Sequence, residues 1–136
     1  MSYVTYKIVD PRDGVPVYIG QSRHYEVRKK SHLKKAKGNL PTRNTFNIVV
    51  YLVLLESDNI EPIFEILEIT QTEEESLASE TRWVKKMVEL GYPLLNKWNC
   101  HKDIINTEFT PTEFKKYFCE RFPSEKVSKY AENHRR

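Results

Sequence analysis

A short run of β-branched and aromatic residues, Val17-Tyr18-Ile19-Gly20, stops at a glycine and passes within a few positions into a helical pattern crowded with cations. A strand ending on glycine marks a sharp change of direction, because glycine turns without steric cost. Ser22 is the expected N-cap, Tyr25 and Glu26 fall in the first turn, and the helix is predicted to run to about Ala36. Arg28 and His32 lie four apart and so share one helix face. A strand ending in tyrosine beside a helix presenting a guanidinium and an imidazole points three side chains at one place. Their chemistry suits a phosphate.

The flanking sequence supplies the rest of a small sheet. Tyr3 to Val9 suits a strand, Asp10-Pro-Arg-Asp-Gly14 a turn, and Val15 to Ile19 the returning strand of a hairpin, which brings Tyr6 and Tyr18 onto neighbouring strands. The helix is predicted to stop at Lys37-Gly38-Asn39, before Pro41. In Thr42 to Glu56, Phe46, Val49, Val50, Val53 and Leu54 recur at helical spacing. Ile48 to Val53 alone suits a buried strand equally, and the length of the run favours a helix. Pro62 to Ile69 alternates, with Phe64 and Ile66 against Glu65 and Glu68, and predicts a third strand.

Thr72 with Glu75 forms a capping-box pattern that opens a helix to about Leu90, closed by Gly91. Leu77, Trp83, Val84, Met87 and Val88 are its expected apolar face, and Glu80 falls two turns before Met87 on the same side. A carboxylate so close to an apolar stripe is expected to be paired or to hold a cation. Pro111 at a first helical position starts a last helix with Phe114, Tyr117 and Phe118 on one side, limited by Pro123. The expected fold is α+β: a small three-stranded antiparallel sheet flanked by helices, with an additional C-terminal helix.

At 136 residues the chain suits a single domain that buries roughly two thirds of its unfolded surface. Its net charge is only +3, but the charge is unevenly spread: residues 1–52 carry ten cations against three acids, and residues 53–100 four against ten. A basic helix on such a chain is an electrostatic footprint for a polyanion. Cys100 and Cys119 stand far apart with no CxxC pair, so the expectation is free thiols in a reducing cytoplasm. The opening residues give no expectation of a leader, and the longest apolar run, Ile48 to Leu55, is too short to cross a bilayer, so no membrane partner is expected.

Tyr18-Ile19-Gly20, preceded by Val4-Thr5-Tyr6 and followed by Arg28-x-x-x-His32, resembles the GIY-YIG nuclease family. Downstream, Leu77-Ala-Ser-Glu80-Thr-Arg-Trp83-Val and Leu94-Leu95-Asn96 are similar to that family's glutamate helix and closing asparagine. The resemblance implies a nuclease domain over residues 1–99; the residues themselves read as a helical extension over 100–136 packed on it, with a flexible basic tail from about 124.

The resemblance further implies a metal-dependent DNA endonuclease with a catalytic set of Tyr6, Tyr18, Arg28, His32 and Glu80, supported by Asn96 and Gly20. Glu80 would hold one Mg²⁺ (or Mn²⁺) per site. Arg28 would stabilise the scissile phosphate. Tyr6 is favoured as general base with Tyr18 positioning, provided Arg28, His32 or the metal lowers the phenol's affinity for its proton. Arg23, Lys29, Lys30, Lys34, Lys35 and Lys37 would contact DNA phosphates. A homodimer or higher homo-oligomer joined through Phe114, Tyr117 and Phe118 would let single sites cut both strands. Val4-Thr5-Tyr6 stands where the family usually has Gly-Ile-Tyr, and Gln21 where many members carry Lys. The alternative is therefore a catalytically inactive nucleic-acid-binding module of the same fold.

Overall fold

The structure, a computed structural model, describes residues 2–40, 47–92, 94–96, 111–123 and 127. Among these, three strands and four helices follow in the order β1 (Tyr3–Asp10), β2 (Val15–Ser22), α1 (Tyr25–Ala36), α2 (Ile48–Ser57), β3 (Ile63–Thr70), α3 (Glu73–Glu89) and α4 (Pro111–Arg121). The strands form one antiparallel sheet in the order β2-β1-β3. The fold is the expected α+β arrangement, with the strand that carries Tyr6 at its centre.

Two apolar cores fill the two faces of the sheet. One joins Tyr6, Ile8 and Val17 to Ala36 of α1, nearly the whole of α2, and Phe118 and Phe122. The other packs Ile19 against Val84 and Met87 of α3 and against Leu94. Helix α2 is buried on almost every side, which explains why its sequence shows so little helical periodicity. It begins at Ile48, where the Asn47 side chain caps it by accepting from the Val50 amide at 3.1 Å. The predicted earlier start, from Thr42, lies outside the described residues, as do Cys100 and most of the tail beyond 124.

Several expectations are corrected. Strand β2 runs through Gly20 to Ser22 and does not turn at the glycine. Ser22 does not cap α1: its Oγ accepts from the His24 amide at 2.9 Å, in a tight turn that delays the helix to Tyr25. Leu77 and Ile66 are exposed, at 46% and 51%. On α3 the buried positions near the N-terminus are instead Ser76 and Ser79, small residues that let the helix approach the sheet and whose hydroxyls find partners there.

Tyr117 and Phe118 are not a free face. Phe118 is fully buried, and Tyr117 stacks on Tyr51 of α2 with ring centroids 6.4 Å apart. Their apolar surface is used within the chain, so it is not available for a dimer contact; the Phe114 side chain lies outside the described residues. Among the described residues no helix is long and apolar enough to cross a membrane.

Candidate active site

The centre of the site is Tyr6, 1% exposed in the middle strand. Its cross-strand partner is Gly20. A Cβ at position 20 would lie 2.5 Å from both Cζ and the hydroxyl oxygen of Tyr6, so the glycine is what lets the ring lie across β2. Its role is close approach, a different use of the residue from the chain reversal expected of it. Tyr18, two residues earlier on β2, is half-buried and close enough that its charge acts on the Tyr6 phenol.

Helix α1 covers this face. Tyr25, Arg28 and His32 recur at i, i+3 and i+7 and so lie along one stripe. His32 is buried, with Nε2 2.9 Å from the Tyr6 hydroxyl. Its ring lies 5.8 Å from that of Tyr18 and 5.9 Å from that of Phe64. Tyr25 tilts against Tyr6 at 5.3 Å. Arg28, exposed along its length, is held in its charged form chiefly by hydrogen bonding to Tyr6, with Tyr18 adding to the effect.

Burial sets the protonation states. It pushes Tyr6 up to about 12, with the neighbouring Tyr18 adding to the rise and Arg28 only partly opposing it. Arg28 does not bring the phenol below its ordinary value, and Tyr6 keeps its proton near neutral pH. His32 is moved the other way, down to about 4, by burial first and then by the cations Arg28 and Lys35. A neutral imidazole can accept a proton. With its ring proton on Nδ1, His32 accepts the Tyr6 hydroxyl at Nε2; with the proton on Nε2 it donates to the phenol oxygen, alongside Arg28.

Glu80, half-buried on α3, is near enough to the Tyr6 phenol to act on it electrostatically. Among the described residues no group of three or more His, Cys, Asp or Glu side chains is assembled to hold a metal. A single carboxylate completed by waters and phosphate oxygens is nevertheless the donor set of a hard ion such as Mg²⁺, and Glu80 fits that part. Asn96 braces β2 from the far side, donating from Nδ2 to the Ile19 carbonyl at 2.6 Å and accepting from the Ile19 amide at 3.0 Å. It fixes the backbone between Tyr18 and Gly20.

No family model, curated protein or solved structure matches this chain. The GIY-YIG resemblance rests on the residues quoted for it in the sequence. Val4, which stands where the family usually has glycine, is an ordinary strand residue paired with Ser22 on one side and Ile69 on the other. Gln21 is engaged on the opposite face, where it accepts from the Ser76 hydroxyl at 2.7 Å. Along α1, Arg23, Lys30, Lys34, Lys35 and Lys37 are exposed, while the Lys29 ammonium lies 5.5 Å from the Phe64 ring centroid.

Two members of the aromatic surround, Tyr25 and Phe64, are absent from the sequence-derived set. Tyr25 was detectable from its spacing to Arg28 and His32. Phe64 was not, because its place beside His32 depends on the register of β3 against β1.

Proposed function

We propose that this chain is a metal-dependent DNA endonuclease that hydrolyses phosphodiester bonds in the way the GIY-YIG resemblance implies. The observation that carries the reading is the meeting of Tyr6, Tyr18, Arg28 and His32, drawn from β1, β2 and α1, around one hydroxyl within electrostatic reach of Glu80. When bound, a divalent ion such as Mg²⁺ or Mn²⁺, held by Glu80, neutralises charge on the phosphate. Arg28 donates to the same phosphate and stabilises the charge that grows in the transition state.

The proton path follows from the states of Tyr6 and His32. A phenol pushed up to about 12 is a poor preformed base. It serves instead as a hydrogen-bonding group, held by Arg28 and the neutral His32 ring, that orients the attacking water, whose proton leaves to solvent while the departing oxygen takes one from solvent. Tyr18 and Arg28 hold the water and phosphate in line.

Supercoiled plasmid with the protein and Mg²⁺ tests the reading. Wild type is expected to nick it, while Arg28→Ala and Glu80→Ala slow nicking by about 10²-fold or more. A second reading, a nucleic-acid-binding module without turnover, is favoured by the raised phenol; retained gel shift with no cutting by wild type would establish it. We further propose a reducing cytoplasm as the compartment, in keeping with the free thiol of Cys119. If two copies join to cut both strands, they do so through a face other than that of Tyr117 and Phe118.

A further inference from the structure

Strand β3 is an edge of the sheet, hydrogen-bonded only to β1 among the described residues. Its pairing slips between Thr5 and Tyr6: Ile66 faces Tyr6, Glu68 faces Thr5, and Leu67 is the extra residue. Three positions apart on a regular strand, Ile66 and Ile69 would point to opposite faces. The bulge turns both to the face that carries Tyr6 and Val4, where they are 51% and 58% exposed. Two neighbouring exposed isoleucines on an edge strand form an apolar strip open to a partner.

Their surroundings indicate that partner's chemistry. Ile66 pairs with Tyr6, whose ring meets the half-buried aromatics Phe64 and Tyr25, and Lys29 lies over Phe64. The acids of β3 go elsewhere, since Glu65 pairs with Lys7 and Glu68 with Thr5 on the opposite face. The strip is thus apolar along β3, with Glu26 the carboxylate near its Tyr25 end, and is bordered by the cationic helix α1. A second copy of the chain docking here would bring two basic helices together.

We propose that this strip is a platform for unstacked nucleobases, so that the preferred substrate is DNA with unpaired nucleotides next to a duplex. The proposal rests on the nucleic-acid reading above and names the substrate class for it. The backbone phosphates follow α1, and the bases turn inward onto Ile66, Ile69, Phe64 and Tyr25. Apolar and aromatic contact serves any base, because each has a π face.

Fluorescence anisotropy without divalent metal, on a blunt duplex, the same duplex with an unpaired thymidine tail, and one with an abasic tail of equal length, tests this. Wild type is expected to bind the thymidine tail about tenfold more tightly than the abasic one. The Ile66→Ser/Ile69→Ser variant is expected to bind both alike, with affinity for the abasic tail unchanged. Equal binding of the two tails by wild type, with salt-sensitive duplex binding intact, overturns the platform alone; the absence of salt-sensitive binding to any of the three overturns the nucleic-acid reading with it. A wild-type dimer in sedimentation that the double variant converts to monomer makes the strip a self-interface and also overturns the proposal. Tail preference without cleavage in Mg²⁺ supports the platform and removes turnover from the reading.

Discussion

At the scale of single residues the site depends on a fit between Gly20 and Tyr6. Any side chain at position 20 pushes against the phenol, whose ring is hemmed in by Tyr25, His32 and Phe64. Gly20→Ala is therefore expected to destabilise the protein by about 1–3 kcal/mol, the usual range for overpacking. Urea denaturation measures it, and an unchanged midpoint would mean that the ring has room to spare. His32 gives a second prediction. Its folded form binds a proton less readily than its unfolded form, so from about 6.5 down to about 4 the unfolded chain holds more protons and stability falls with pH. Roughly 2–3 kcal/mol should be lost across that window, and most of the slope should vanish in His32→Gln. Unfolding midpoints at about pH 7 and about pH 5 check this. Asp10 does not confuse the test, because a carboxyl held below its ordinary range loses its contribution only in stronger acid.

Between elements, a buried ionic network fastens α4 to the hairpin. Asp10 is fully buried; burial alone would raise its carboxyl, but hydrogen bonds from Arg12 and Tyr51 outweigh it and hold the group ionised. Tyr51 of α2 donates to Oδ2 at 2.5 Å, Arg12 through Nη2 at 2.7 Å and Arg121 of α4 through Nη2 at 2.9 Å. Arg121 also pairs with Asp13 in the turn. Removing Asp10 leaves two guanidiniums without their buried partner, so Asp10→Ala is expected to cost about 3–5 kcal/mol and to expose α4 to protease. Limited proteolysis with mass analysis checks it, and a variant that resists cleavage like wild type would show that apolar packing alone holds α4.

Much of the order of elements was legible because it rests on local signals. The Thr72–Glu75 capping box is present with both of its hydrogen bonds, and Gly14 and Gly91 adopt the positive φ their places demand. What escaped was set by register and packing. The slip at Leu67 puts Ile69 on the same face as Ile66, and the buried serines of α3 are not marked by any periodicity. Ser79 donates to Glu68 at 2.6 Å and accepts from Thr5 at 2.8 Å, a pairing across elements that no helical pattern contains. The site followed the same division: Arg28 and His32 share a helix face by spacing, whereas the burial that fixes their neighbours' protons required the assembled fold.

Over the whole molecule, charge and catalysis are separable. On the proposed reading the exposed cations of α1 would supply affinity that carries no sequence information, so Lys30→Ala/Lys34→Ala should weaken duplex binding and lower the slope of log affinity against log salt by about two. Cleavage of bound DNA should be nearly unaffected. Titrations at several salt concentrations check this, and an unchanged slope would place the DNA on another face. The central claim is that Tyr6, Arg28, His32 and Glu80 form one hydrolytic centre. Its most direct test is the single-turnover rate of Mg²⁺-dependent cleavage for wild type, Tyr6→Phe, Glu80→Gln and the double variant. Each single change is expected to slow the rate by about 10²-fold or more, and the pair by far less than the product of the two. Cleavage by Tyr6→Phe and Glu80→Gln at the wild-type rate would contradict it.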